Sequence, residues 1–132
     1  MKNLHILIAE DDPDDGEIML EIFSQHGSYT QINLVKNGLE LLQYLSQGTE
    51  MPDVILTDIN MPIMSGIEAL EKLHESDNLS SIPTIVYSST LNPAYQIKCM
   101  NLGTKGFLVK PLKMTDYKKI PVTILEILAG QK

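Results

Sequence analysis

The residues with chemistry to offer stand where apolar runs stop. Asp58 closes the segment DVILTD (53–58), in which Val54, Ile55 and Leu56 form a mostly β-branched run without polar alternation. That pattern suits a strand buried on both faces of a parallel sheet. Glu10, Asp11 and Asp12 follow the apolar run LHILIA (4–9), Ser88, Ser89 and Thr90 follow TIVY (84–87), and Lys110 follows GFLV (106–109). Open parallel sheets bind ligands at the carboxyl ends of their strands. An ionised carboxylate beside such a run is costly unless it is paired or hydrogen-bonded. For Asp58 alone, capping a loop is an equally good reading; what decides is whether other strand ends bring matching chemistry.

Glu10, Asp11 and Asp58 crowded at one place would repel, and at least one pKa would rise unless a cation sat among them. All-oxygen ligands of this kind suit Mg²⁺, which keeps several waters and takes one or two carboxylates. Asn60, two residues past Asp58, could add its backbone carbonyl. Lys110 brings a point positive charge on a long stem. A carboxylate nucleophile, a divalent cation, a lysine and a hydroxyl are together the parts that accept a phosphoryl group. Asp58 would attack phosphorus and form an acyl phosphate, the metal and Lys110 would neutralise the transferring oxygens, and Ser88 would hydrogen-bond one of them. Each residue also has an ordinary reading: a solvated lysine before proline, a Ser-Ser-Thr loop, acids that cap the next helix. Independent ordinary causes would rarely place all of them at carboxyl ends of strands.

The elements that must position these residues alternate along the chain. Strand 4–9 leads into a helix with Asp12 as N-cap and Pro13 in its first turn, where the missing N–H costs nothing. Ile18, Met19, Ile22 and Phe23 recur at helical spacing until Gly27. A weaker strand, 31–35, turns at Asn37-Gly38 into a helix marked by Leu39, Leu41, Leu42 and Leu45, which ends near Gly48. After strand 53–58, Pro62 stops the chain and Ser65-Gly66 starts a helix carrying Ile67, Leu70 and Leu73. Pro83 introduces the fourth strand, Asn92-Pro93 a fourth helix through Ile97 and Met100 that stops at Gly103, and 106–109 is the fifth strand. The last helix carries Tyr117, Ile120, Ile124, Leu125 and Leu128, and at Pro121 it either kinks or begins in earnest.

Five strand and helix repeats with right-handed crossovers predict a doubly wound α/β fold, a five-stranded parallel sheet with helices on both faces. The flavodoxin-like order 2-1-3-4-5 would put its switch point between strands one and three, so that the acids after strand one face Asp58.

With 132 residues and 43% apolar content, one domain is expected, burying roughly two-thirds of its unfolded surface. No apolar run approaches the roughly 20 residues of a membrane span and the start does not read as a signal peptide, so a cytoplasmic protein without a membrane partner is expected. The single Cys99 has no disulfide partner and no zinc-ligand company; it reads as a small buried residue. A net charge of −7, no basic stripe and few aromatics argue against direct binding of nucleic acid. His5, His26 and His74 are scattered and suit ordinary core or surface roles.

The segments ILIAEDD (6–12), VILTDINMPIMSG (54–66), IVYSS (85–89) and GFLVKP (106–111) together resemble the receiver domain of bacterial two-component response regulators, over essentially the whole chain. The resemblance implies that Asp58 is the phosphoacceptor. It places Glu10 and Asp11 at a Mg²⁺ ion, Asp11 as direct ligand and Glu10 through water, with a backbone carbonyl from Asn60. It makes Ser88 the switch hydroxyl, with the Ser89 N–H beside it, Phe107 the switch aromatic and Lys110 the lysine of the motif. Asn60 and Thr90 would tune slow hydrolysis of the protein's own acyl phosphate. Glu10 and Ser88 replace the commoner Asp and Thr with their chemistry kept, Ser65 and Leu112 replace Asp and Phe, and Phe107 lacks the hydroxyl of the commoner Tyr. No output domain is expected after the last helix, so that residues 1–132 would form a single receiver and resemble stand-alone, chemotaxis-regulator-like receivers. Such proteins take phosphate from a histidine kinase or phosphotransfer protein and relay it, or bind a reader through the fourth helix, fifth strand and last helix. The run DDPDD (11–15) resembles those that serve phytochrome-type kinases.

Two other classes compete. A Mg²⁺-dependent phosphohydrolase of the haloacid dehalogenase-like type needs a second Asp two positions after its nucleophile, where this chain has Asn60, and places both after its first strand. Without a general acid or an enclosing cap, turnover of small molecules is not expected. A binding module that is never phosphorylated would show the loss of Asp58, Asp11 or Lys110, and all three are present.

Overall fold

Successive side chains of a strand point to opposite faces, and here the central strands spend both faces on apolar packing. The computed structural model describes residues 3–48, 50–89 and 92–130. Among these, β1 (Leu4–Ala9), β2 (Tyr29–Val35), β3 (Val54–Thr57), β4 (Thr84–Ser88) and β5 (Gly106–Val109) pair in parallel in the order β2-β1-β3-β4-β5. The strands alternate with α1 (Pro13–Ser24), α2 (Gly38–Ser46), α3 (Gly66–Glu75) and α4 (Pro93–Asn101); the single turn α5 (Met114–Tyr117) and α6 (Ile120–Ala129) close the chain. This is the doubly wound order expected from the sequence.

On one face Ile6, Ile8, Leu56, Ile85 and Tyr87 pack with Met19, Ile22 and Phe23 of α1 and with Tyr117, Ile124 and Leu128 of α5 and α6. On the other, Leu7, Ala9, Ile55 and Val86 meet Leu41 and Leu45 of α2, Leu70 and Leu73 of α3, and Cys99 of α4. Each such side chain contributes roughly 1.5–3 kcal/mol when fully buried. The two layers cover both faces of the sheet and leave the carboxyl ends of its strands as one rim.

The helix starts follow local chemistry. Asp12 accepts hydrogen bonds from the Asp14 and Asp15 N–H groups at 2.8 and 3.2 Å, with Pro13 opening α1. Asn37 caps α2 through the Glu40 N–H. Ser65 and Glu68 form a reciprocal capping box at α3. Gly48 and Gly103, both at positive φ, end α2 and α4.

Three details differ from the sequence expectation or resolve it. β2 starts two residues early, at Tyr29. Pro121 does not kink a long helix: it lies in the first turn of α6, where no intrahelical N–H is lost, and α5 is a separate turn. Ile97 and Met100, the periodic residues of α4, are exposed, and Cys99 is the residue that α4 buries. No helix among the described residues is long and apolar enough to cross a membrane.

Candidate functional site

Backbone pairing runs one residue past the strands and so carries the acids to their places. The Asp58 N–H donates to the Ala9 carbonyl at 3.0 Å and the Glu10 N–H to the Val35 carbonyl at 2.9 Å, which locks both residues to the rim of the sheet. Lys110 is fixed in the same way, its N–H donating to the Ser88 carbonyl at 2.8 Å. The lysine and the hydroxyl residue therefore share one backbone link.

From this rim the carboxylates of Glu10, Asp11 and Asp58 converge, with one ligand oxygen of each within 4.8 Å of the others. Glu10 and Asp58 are buried and Asp11 is more exposed. The Lys110 Nζ lies 2.8 Å from Glu10 Oε1, 2.8 Å from Asp58 Oδ2 and 3.3 Å from Asp15 Oδ2. These contacts use the three donors of the ammonium. The second oxygen of Asp58 accepts from the Ile59 N–H at 2.7 Å. Glu10 Oε1 also accepts from the Tyr87 hydroxyl at 2.5 Å, and Oε2 accepts from the Asp12 N–H at 3.0 Å.

The electrostatics follow from burial and crowding. Burial raises the Asp58 carboxyl above the usual carboxylate range; the Lys110 hydrogen bond and charge pull it back in part, and Glu10 adds to the rise. For Lys110 burial alone would favour the neutral amine, but hydrogen bonds to Asp58 and Glu10 outweigh it and raise the pKa, so the ammonium stays charged. Burial and the Glu10 charge push the Tyr87 phenol far up, which keeps it an O–H donor. Three carboxylates around one ammonium leave an excess of negative charge, and the oxygen donor set of Glu10, Asp11 and Asp58 fits a hard divalent cation.

The fold thus brings Glu10, Asp11, Asp58 and Lys110 together and puts buried Ser88 at the end of the neighbouring strand. Asn60 and Ser89 are exposed beside the rim. Phe107 is half-buried and packs on the other face of the sheet, beside a cavity of about 240 Å³ that it lines with Gln96, Cys99, Met100 and Thr104. Thr90 lies outside the described residues. A larger cavity, about 390 Å³ and lined by Leu73, His74, Ser81, Thr84 and Lys105, opens at the opposite end of the sheet and has no contact with this chemistry.

Sequence reasoning missed Asp15 and Tyr87. Asp15 sits in the first turn of α1, one turn from the acids at its start. Tyr87 is the one hydroxyl-bearing residue in the buried run Ile85–Tyr87, and a buried phenol needs a partner. That need was the available signal.

Comparisons with known proteins agree with the geometry. The family model described as "Response regulator receiver domain" matches residues 6–120. The two-component response regulator ARR17 of Arabidopsis thaliana is 32% identical over 134 residues, covering 94% of this chain and 86% of its own. The crystal structure of the phosphorylated cyanobacterial phytochrome response regulator RcpA superposes with a TM-score of 0.88 at 24% identity, over 98% of this chain and 96% of that one. The Mn²⁺-bound form of response regulator Rcp1 gives 0.83 at 23% identity, over 98% and 96%. At these identities the two structures speak for the fold.

Proposed function

The chain belongs to the response regulator receiver domain family, and from that membership we propose that Asp58 accepts a phosphoryl group from a phosphohistidine of a histidine kinase or phosphotransfer protein. The observation that carries the reading is the position of Lys110 Nζ, 2.8 Å from both Asp58 and Glu10, with Asp11 completing the acidic cluster.

In the transfer an Asp58 carboxylate oxygen bonds to phosphorus while the donor's P–N bond breaks, the electron pair leaving with the imidazole. Lys110 holds the nucleophile and meets the charge that arrives on the phosphoryl oxygens. Ser88 supplies a hydroxyl to one of them, and the Ser89 N–H stands beside it. Glu10, Asp11, Asp58 and the Asn60 carbonyl would hold Mg²⁺, which when bound neutralises phosphoryl charge as a Lewis acid. The protein acts as a phosphoacceptor; slow hydrolysis of its acyl phosphate is tuned by Asn60 and Thr90. Residues 1–132 act as one receiver unit.

The reader surface is the face of α4, β5, α5 and the start of α6, where the switch aromatic Phe107 lies under exposed Met100. Ile97, Met100, Val109 and Leu112 expose apolar area there. Fifteen of the seventeen acidic residues precede residue 78, whereas seven of the ten lysines follow it. Lys98, Lys105, Lys113, Lys118 and Lys119 are all exposed. An apolar anchor flanked by acids on the reader matches that face.

Incubation with acetyl phosphate and Mg²⁺ followed by intact-mass measurement tests the assignment. Addition of one phosphoryl group, lost in Asp58→Asn, is the expected result. A group that still adds to that variant would place the acceptor elsewhere.

A further inference from the structure

Tyr87 is fully buried one residue before Ser88, and its hydroxyl donates to Glu10 Oε1. The same oxygen accepts from Lys110 Nζ, which also sits 5.0 Å from the centre of the Tyr87 ring. With the Asp12 N–H on Oε2, Glu10 holds three protein donors while only 2% exposed. A carboxylate oxygen takes two hydrogen bonds, so Oε1 is saturated by Tyr87 and Lys110 and only Oε2 has capacity left toward a cation.

This arrangement matters when Lys110 moves. If Asp58 carries a phosphoryl group, the ammonium turns from the carboxylates to the new oxygens, and Glu10 loses a donor inside the protein. A buried carboxylate left bare is strongly disfavoured. We propose that Tyr87 is a positioning residue: its hydroxyl holds Glu10 in place with Oε2 facing the cation site, so that Lys110 can leave Glu10 for the phosphoryl group, while its ring stays against the ammonium in both positions. The proposal rests on Asp58 being the phosphoacceptor and adds a residue to the set that the resemblance implies.

Tyr87→Phe removes the hydroxyl and keeps the ring. Affinity for beryllofluoride with Mg²⁺, read from amide NMR shifts, is expected to fall about tenfold, over and above any lowering of the thermal midpoint in EDTA by the lost hydrogen bond. In a Glu10→Asp background, where the shorter carboxylate no longer reaches Tyr87, the same substitution is expected to change affinity less than about twofold. A tyrosine with only a packing role would lower stability of both states alike and leave beryllofluoride affinity unmoved; that result, or an undiminished loss in the Glu10→Asp background, overturns the proposal. A structure of the unaltered protein with beryllofluoride gives an independent check. Tyr87 should remain on Glu10 while Lys110 contacts fluoride, and departure of Tyr87 from Glu10 counts against it. Failure of the unaltered protein to bind beryllofluoride or take phosphate would remove the phosphoacceptor reading itself, and the role of Tyr87 with it.

Discussion

A Cβ placed on Gly66 would stand 2.0 Å from the carbonyl oxygen of Asp58. The start of α3 is seated directly on the rim residue that carries the proposed chemistry, and the Gly66 N–H holds it there by donating to the Ile59 carbonyl at 2.9 Å. Because the obstacle is backbone, no rotamer change relieves it. Gly66→Ala is expected to cost about 2–3 kcal/mol in urea unfolding and to slow phosphorylation by acetyl phosphate, since either α3 or Asp58 must shift. A variant as stable and as quickly phosphorylated as the parent would show that α3 slides without moving Asp58.

The loop between Asp58 and Gly66 stores strain at one residue. Ile63 has φ 69° and is 78% exposed, and the Met64 N–H donates to the Pro62 carbonyl across it at 2.7 Å. This is a γ-turn centred on a β-branched residue, a conformation that L side chains adopt at a cost of roughly 1–2 kcal/mol. Ile63→Gly relieves that cost and returns part of it as chain entropy, roughly 0.5–1 kcal/mol. The expected net gain is about 0.5–1 kcal/mol of unfolding free energy, read as a higher urea midpoint at unchanged slope. Loss of stability would mean that the Ile63 side chain packs usefully despite its exposure.

Where local chemistry decides, the sequence was sufficient. Buried runs ending in acids, the Asp12 and Ser65 caps, and glycines after α2 and α4 all act within a few residues, and the alternation of strands and helices leaves few topologies. Once the order is known, Glu10 and Asp58 must meet. What was not legible depends on distant partners or on facing. Tyr87 meets Glu10 across 77 positions and Lys110 meets Asp15 across 95, and no local pattern records such pairs. Helical spacing of Ile97 and Met100 marks a stripe without saying which way it points, and tertiary packing turned it outward by seating Cys99 and Tyr95 on the core. Pro121 was ambiguous because a proline is found both at helix kinks and in first turns, although only the first turn loses no hydrogen bond; the Tyr29 hydroxyl, donating to the Pro121 carbonyl at 2.7 Å, ties the first turn of α6 to the start of β2.

The pH dependence of stability reports on Asp58. Its folded pKa is raised, by burial first, so the fold favours the protonated form. That contribution is complete below the unfolded pKa and is lost as pH rises through the folded value. At neutral pH without divalent cations the ionised group therefore costs stability. Asp58→Asn is expected to melt a few degrees higher in EDTA at neutral pH, with the advantage shrinking as pH falls through the Asp58 pKa. Thermal scans across pH 3–8 read this out, and a less stable Asn variant at neutral pH would mean that pairing with Lys110 outweighs burial.

Lys110 is the positive charge that holds the cluster together, and Lys110→Met separates its structural role from its signalling role. Without the ammonium, Glu10 and Asp58 are buried carboxylates facing each other with no counter-charge, an arrangement that costs about 3 kcal/mol or more. The expected midpoint in EDTA is accordingly lower. Mg²⁺ restores part of the loss, because a bound cation stabilises the folded state by RT ln(1 + [L]/Kd) and binds more tightly once a competing charge is gone. The rise in midpoint on adding Mg²⁺ should therefore be larger in the variant than in the parent; an equal rise would show that the lysine is not what balances these carboxylates. Signalling should not recover with stability. The Lys110 N–H donates to the Ser88 carbonyl, a backbone link that the substitution does not remove, but only the ammonium can pull on an acyl phosphate and drag β5 toward it. Beryllofluoride is expected to shift the amides of Met100, Val109 and Leu112 in the parent and to leave them in place in the variant. Equal shifts in both would assign the coupling to Ser88 alone.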